Sequence, residues 1–184
     1  MKTDLASFQN EWYRPGRSKL IQGLWYITSL VVFQSGWFPL YGIKRTLLKA
    51  FGAKIGSGVI IKPGVRIKYP WKLEIGSYSW IGESVWIDNL DEVKIGSNVC
   101  ISQGALLLCG NHDFTKSTFD LMTGKIVLED GVWIGAKSQV GPGVNVKNHA
   151  VLAMGSTATK DLKPFIIYRG NPAVEIKKRV IRQS

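Results

Sequence analysis

An all-β solenoid, a stack of about five three-sided coils built from very short strands, is the fold the sequence predicts. The first observation is a six-residue period. Ile55, Ile61, Ile67, Ile75, Ile81, Ile87, Ile95, Ile101 and Leu107 follow it, and after an interruption so do Leu128, Ile134, Val140, Val146, Leu152 and Ala158. The second is a small or β-branched residue two positions earlier, as at Val59, Val65, Val85, Val99, Ala105, Val132, Ser138, Val144, Ala150 and Ser156. Residues two apart on a strand share a face, whereas a helix would bury positions three and four apart. The third is glycine directly after the apolar residue at 56, 76, 82, 96, 135 and 141, where a tight turn favours a residue without a Cβ.

Three hexads close one coil of a triangular prism. The first coils begin at Ile55, Ile75 and Ile95, twenty residues apart, with two extra residues at a corner near Tyr69–Trp71 and again near Asn89–Asp91. Stacked about 4.8 Å apart, their inward Ile, Leu and Val side chains form one continuous core whose two ends need caps. This divides the chain into a helical cap (1–51), the repeat body (52–161) and a short basic C-terminal segment (162–184). Between Leu107 and Leu128 about fifteen residues exceed what the period needs, so 109–126 is expected to leave the stack as a loop. Such an insertion often carries function, and this one contains GNHDF with one of the chain's two histidines.

From Leu20 to Ile43 no residue is charged, and Arg14, Arg17, Lys19, Lys44, Arg45 and Lys49 flank the run. Its length would allow a membrane span, but Gln22, Gln34, Gly36 and Pro39 break it. Two further readings stand beside the span: a cap packed on the first coil or on another subunit, and association of residues 14–49 with a membrane surface.

With 45% hydrophobic residues in 184 the chain is not disordered. Residues 1–51 hold seven basic and two acidic side chains, residues 169–184 five and one, and the middle twelve and ten. The excess charge therefore sits at the ends, and without a recognised nucleic-acid motif no nucleic-acid partner is expected. Cys100 and Cys109 make no disulfide framework and have no zinc-ligand spacing with His112 and His149, so no metal is expected. A metal-dependent hydratase on such a prism would need three histidines. The opening MKTDLASFQNEWYRPGR has no early apolar run. The expectation is a cytoplasmic protein, peripheral to the inner face of the membrane if residues 14–49 bind lipid.

The hexads, the loop histidine in GNHDF, VWIGAKSQVGPGV, GSTATKD and RGNPA together resemble the hexapeptide-repeat O-acetyltransferases. IKYPWKLEIG, SWIGESVWIDNL and CISQGALLLCGNHD are most similar to the colanic acid biosynthesis acetyltransferase group, which modifies exopolysaccharide precursors. The resemblance implies a left-handed parallel β-helix, although parallel crossovers generally prefer the right hand. It also implies a homotrimer with the cofactor between neighbouring prisms, and transfer of acetyl from acetyl-CoA to a hydroxyl of a free or lipid-linked saccharide.

That chemistry needs a base of near-neutral pKa, and His112 is the candidate. The twenty-residue stacking puts Asp88, Asn89 and Asp91 one coil beneath the loop, where they bind the acceptor, orient His112 or simply form a polar turn. Asn111 and Asp113 are weaker candidates. Family positions for the cofactor fall on Trp133, Ala136, Met154, Thr159, Lys160 and Lys177. Val174 stands where arginine is usual, shifting phosphate contact toward Lys178 or Arg179, and Gly82 stands where an acceptor-binding asparagine is usual. His149 reads as an ordinary surface residue. A different acyl group, an amine acceptor and a non-catalytic scaffold remain the alternatives.

Overall fold

The computed structural model describes residues 2–36, 38 and 40–182. Pro39, named above as a break in the uncharged run, lies outside them. Three parallel sheets form the walls. The first face carries Lys54–Ile55, Leu73–Ile75, Val93–Ile95, Ile126–Leu128 and Asn145–Val146. The second carries Ile60–Ile61, Trp80–Ile81, Cys100–Ile101, Trp133–Ile134 and Val151–Leu152, and the third Arg66–Ile67, Trp86–Asp88, Leu106–Leu108, Gln139–Val140 and Thr157–Ala158. Register follows the period: Ile55 pairs with Ile75, Ile75 with Ile95, Ile95 with Leu128 and Leu128 with Val146.

Every hexad residue from Ile55 to Ala158 is buried, and so are Val59, Val65, Val85, Val99, Ala105, Val132, Val144 and Ala150 two positions before. Truncating one such Ile or Leu to Ala typically costs about 2–5 kcal/mol. Glycine directly after an inward residue answers to stacking. A Cβ on Gly76 would lie 2.5 Å from the Gly96 carbonyl carbon, and one on Gly135 2.5 Å from the Met154 nitrogen. Left-handed backbone falls two residues later, at Gly58, Tyr78, Asn98, Gly131 and His149 along one corner. His149 is thus a half-buried corner residue, its ring 4.7 Å from that of Phe165.

The first coil would leave its carbonyls bare, the usual liability of an edge strand. Two helices cover them: α1 (Lys19–Thr28), capped by Ser18 and continued by a π turn over Ser29–Gln34, and α2 (Tyr41–Ala50). Trp25 Nε1 donates to the Ile67 carbonyl at 2.8 Å, Lys44 Nζ to those of Ile61 and Lys62 at 3.4 and 3.2 Å, and Arg45 to that of Val59 at 2.9 Å. Lys44 is fully buried, and that burial lowers its pKa. Trp25, Phe33 and Leu48 complete the cap core. Among the described residues no helix is long and apolar enough to cross a membrane.

At the other end Ile166–Gly170 adds to Val151–Leu152 in parallel, and Ala173–Lys178 folds back on it antiparallel, making the second face seven-stranded. The C-terminal segment is therefore a closing ribbon. Arg179 pins it, donating to the carbonyls of Gly131 and His149 at 2.9 and 3.0 Å.

Candidate active site

The insertion leaves the stack at the corner between third and first faces as a second antiparallel ribbon, Gly110–His112 paired with Leu121–Thr123. His112 lies on its first strand, half-buried. Its ring stacks on Phe119 (centroids 4.4 Å apart, planes 8° apart), and Nδ1 lies 2.9 Å from the Phe119 carbonyl oxygen. A carbonyl only accepts, so Nδ1 carries the proton and Nε2 keeps its lone pair. Phe119 itself adopts a left-handed φ of 51°.

A strap that sequence reasoning missed supports the ribbon. Residues ahead of α1 run along this edge: Trp71 Nε1 donates to the Pro15 carbonyl at 2.7 Å, the Tyr13 hydroxyl to that of Leu90 at 2.8 Å, and the Asp4 N–H to that of Ser117 at 2.8 Å. Phe8 reaches the His112 ring, with centroids 5.8 Å apart. Aromatic residues at 8, 12 and 13 in a stretch without a repeat were the available signal.

One coil beneath, Asp88 pairs with Leu108 and is 8% exposed, its carboxylate 3.0 Å from Lys68 Nζ. Asn89 is fully buried; its amide oxygen accepts from the Tyr69 N–H at 3.0 Å and its nitrogen donates to the Tyr69 carbonyl at 2.6 Å. It builds the corner. The exposed Asn111 accepts from the His112 N–H at 2.8 Å, and Asp113 accepts from the Thr115 N–H and hydroxyl at 3.1 and 2.5 Å. Those bonds hold the Asp113 carboxyl below its usual range. Burial pushes the Cys109 thiol up to about 12.

The positions assigned to the cofactor do not gather around His112. Trp133 is half-exposed beside the corner between second and third faces, its Nε1 donating to Ser102 Oγ at 2.9 Å. Ala136 and Met154 occupy the same corner on successive coils, where the Gly155 N–H donates to the Ala136 carbonyl. Gly82 lies at this corner too, two coils below Gly135. The third face separates this group from the His112 edge, a width of roughly 15–20 Å for one hexad. Thr159 and Lys160 are exposed on the His112 edge, two coils further along. Lys177 and Lys178 are exposed on the closing ribbon, while Arg179 is engaged with backbone. Among the described residues no group of three or more His, Cys, Asp or Glu side chains is placed to hold a metal ion.

No protein-family model matches the chain. A protein of Escherichia coli K12 provisionally named colanic acid biosynthesis acetyltransferase WcaF is 38% identical over 180 residues, covering 96% of this chain and 97% of its own. The galactoside O-acetyltransferase of E. coli K12 is 27% identical over 143 residues, 76% of this chain and 68% of its own. In structure, a hexapeptide-repeat acetyltransferase of Vibrio cholerae O1 biovar eltor complexed with acetyl coenzyme A superposes with a TM-score of 0.80 at 19% identity, covering 89% of each chain. Superposition to that extent requires the same sense of coiling, and the fold is the left-handed parallel β-helix. The near full-length match to the E. coli protein shows that the chain belongs to the colanic acid biosynthesis acetyltransferase group of the hexapeptide-repeat acetyltransferases.

Proposed function

We propose that this enzyme transfers acetyl from acetyl-CoA to a hydroxyl of a sugar or exopolysaccharide precursor, with His112 as general base. The carrying observation is the Phe119 carbonyl on Nδ1, which fixes the tautomer that leaves Nε2 free to accept a proton. Nε2 takes the acceptor hydroxyl proton as that oxygen bonds to the thioester carbonyl carbon. The tetrahedral intermediate collapses by breaking the C–S bond, and the imidazolium returns its proton to the departing CoA thiolate. Asp88 and Asn111 face the acceptor side, and Asn89 holds the corner beneath them. Trp133, Ala136 and Met154 take the pantetheine arm, and Thr159, Lys160 and Lys177 the nucleotide end, where cations suit its phosphates.

Because His112 and the Trp133 group lie on different edges of one prism, a complete site needs two copies. A closed ring of three, each lending one edge to each neighbour, satisfies this with a single repeated contact. The test pairs two inactive variants. His112→Ala removes the base, and Ala136→Trp blocks the opposite wall. Co-expressed, they should regain about one quarter of wild-type turnover if mixing is random. Recovery at the level of separately purified variants mixed after assembly would overturn the shared site. Mass spectrometry of sugar nucleotides and lipid-linked oligosaccharides after incubation with labelled acetyl-CoA identifies the acceptor, and an unlabelled panel with labelled amines would overturn the hydroxyl assignment.

A further inference from the structure

Helix α1 and its π turn are apolar on their outer side as well as on the side that packs on the stack, with Gln22 and Thr28 between. Trp25, Ser29 and Phe33 face the first coil and are buried. On the opposite side Leu20, Leu24, Ile27, Leu30 and Val31 are 43–73% exposed, with Tyr26 beside them. An exposed contiguous apolar patch of this kind marks an interaction surface.

Charge decides between coverings. From Trp12 to Leu73 the chain has no Asp or Glu at all, while Arg14, Arg17, Lys19, Lys44, Arg45, Lys49, Lys54, Lys62, Arg66, Lys68 and Lys72 fall within it. Lys44 is used inside the cap and Lys54 pairs with Glu74 at 3.6 Å, but Lys19 and Lys49 are exposed. An apolar stripe flanked by the exposed Lys19 and Lys49, on a stretch of the cap that contains no acidic residue, is complementary to an anionic bilayer surface, where the side chains enter the headgroup boundary and the cations meet phosphate. A second copy would bring like charge against like charge. α1 and α2 donate to carbonyls that point out of the end of the stack, so the cap closes the base of the prism, and Tyr26 at the margin of the patch lines a groove with Trp86 and Asp88 on the third face.

We infer that the outward face of α1 and its π turn docks on an anionic lipid surface, holding the enzyme peripherally by its cap. This stands whatever group the enzyme transfers.

The test is flotation of the full chain with vesicles of phosphatidylcholine alone or mixed with phosphatidylglycerol, with light scattering for oligomeric mass. The intact protein should float with the anionic vesicles, about tenfold less with the neutral ones, and be released by high salt. Leu24→Glu with Ile27→Glu, both on the exposed face, should abolish flotation without changing the melting temperature or the mass. Lys19→Glu with Lys49→Glu should weaken it to the neutral-vesicle level, and this pair carries the test if the first variant fails to fold. Absence of flotation by the intact protein, or equal flotation by the variants, overturns the proposal. A variant that changes mass while the intact protein ignores vesicles assigns the face to contacts between copies instead.

Discussion

Two antiparallel ribbons interrupt an otherwise parallel protein, and they behave in opposite ways. The closing ribbon, Ile166–Gly170 with Ala173–Lys178, stays on the stack as the last strands of the second face and buries Ile166 and Tyr168. The ribbon at Gly110–His112 and Leu121–Thr123 forms a sheet of its own two strands and buries Gly110 alone among its residues. A ribbon paired to the stack is held by the sheet, so its backbone contributes closure and stability, and only an exposed side chain such as Lys177 is left to meet the donor. A ribbon that departs is held by a few side-chain and backbone contacts, which leaves its side chains available for chemistry.

The largest test of that division is His112→Ala. Turnover should fall by about 10²–10⁴, the usual size of general-base help, while the melting temperature stays where it was. Steady-state kinetics beside a thermal scan reads both. Full activity in a folded variant would remove the departing ribbon from the chemistry.

The closing ribbon should show the reverse. Tyr168 is 6% exposed and its hydroxyl accepts from the Lys163 N–H at 3.0 Å. Tyr168→Ala should lower stability by about 3 kcal/mol, roughly 10²-fold in the folding equilibrium, through the cavity it leaves. Urea titration measures the loss, and turnover at saturating donor should remain within about threefold for the folded fraction. A large fall in turnover with little loss of stability would erase the contrast between ribbons.

A smaller effect is expected where the strap touches the departing ribbon. Phe8→Ala removes one wall of the His112 ring and leaves the Phe119 carbonyl in place. Turnover should drop about tenfold, a loss of positioning and not of the base itself. Phe119→Gly, which keeps the carbonyl and tolerates a φ of 51°, should fall in the same range. Loss of activity equal to that of His112→Ala in either variant would mean the ring stacking, and not the Nδ1 bond, holds the base.

The solenoid was legible because each coil repeats a local rule, so Ile61 and Ile134 announce the same inward place from far apart. The insertion was legible only as a break in that rule; that it would become a ribbon depends on pairing between Asn111 and Met122, which no period marks. His112 could be read from its motif, but the partner of its Nδ1 is a backbone oxygen, and any residue at 119 carries one. Asn89 shows the converse limit. An asparagine at a corner suits an acceptor contact or a turn equally well, and only burial with both amide ends on Tyr69 assigns it to the turn. The separation of Trp133 from His112 was implicit in the hexad count, since Trp133 lies on a second-face strand and His112 follows a third-face strand.

Cys109 gives the smallest expected effect on activity. It sits at the root of the departing ribbon, three residues before His112, fully buried, with its thiol raised from 9.0 to about 12 by that burial. A thiol so held is protonated at neutral pH and supplies no nucleophile for an acyl-cysteine route. Cys109→Ser should keep turnover within about twofold, and total loss in a folded variant would replace direct transfer with a covalent one. The same group sets an alkaline limit. A folded pKa above the unfolded one stabilises fully below pH 9, and that contribution is lost as pH rises toward about 12, because the unfolded chain ionises first. Cys109→Ala should therefore lose stability less steeply than wild type above pH 9, by up to about 1.4 kcal/mol per pH unit in urea titrations. Parallel curves would mean that the root of the ribbon opens to solvent, and the departing ribbon would then be anchored less firmly than its buried cysteine indicates.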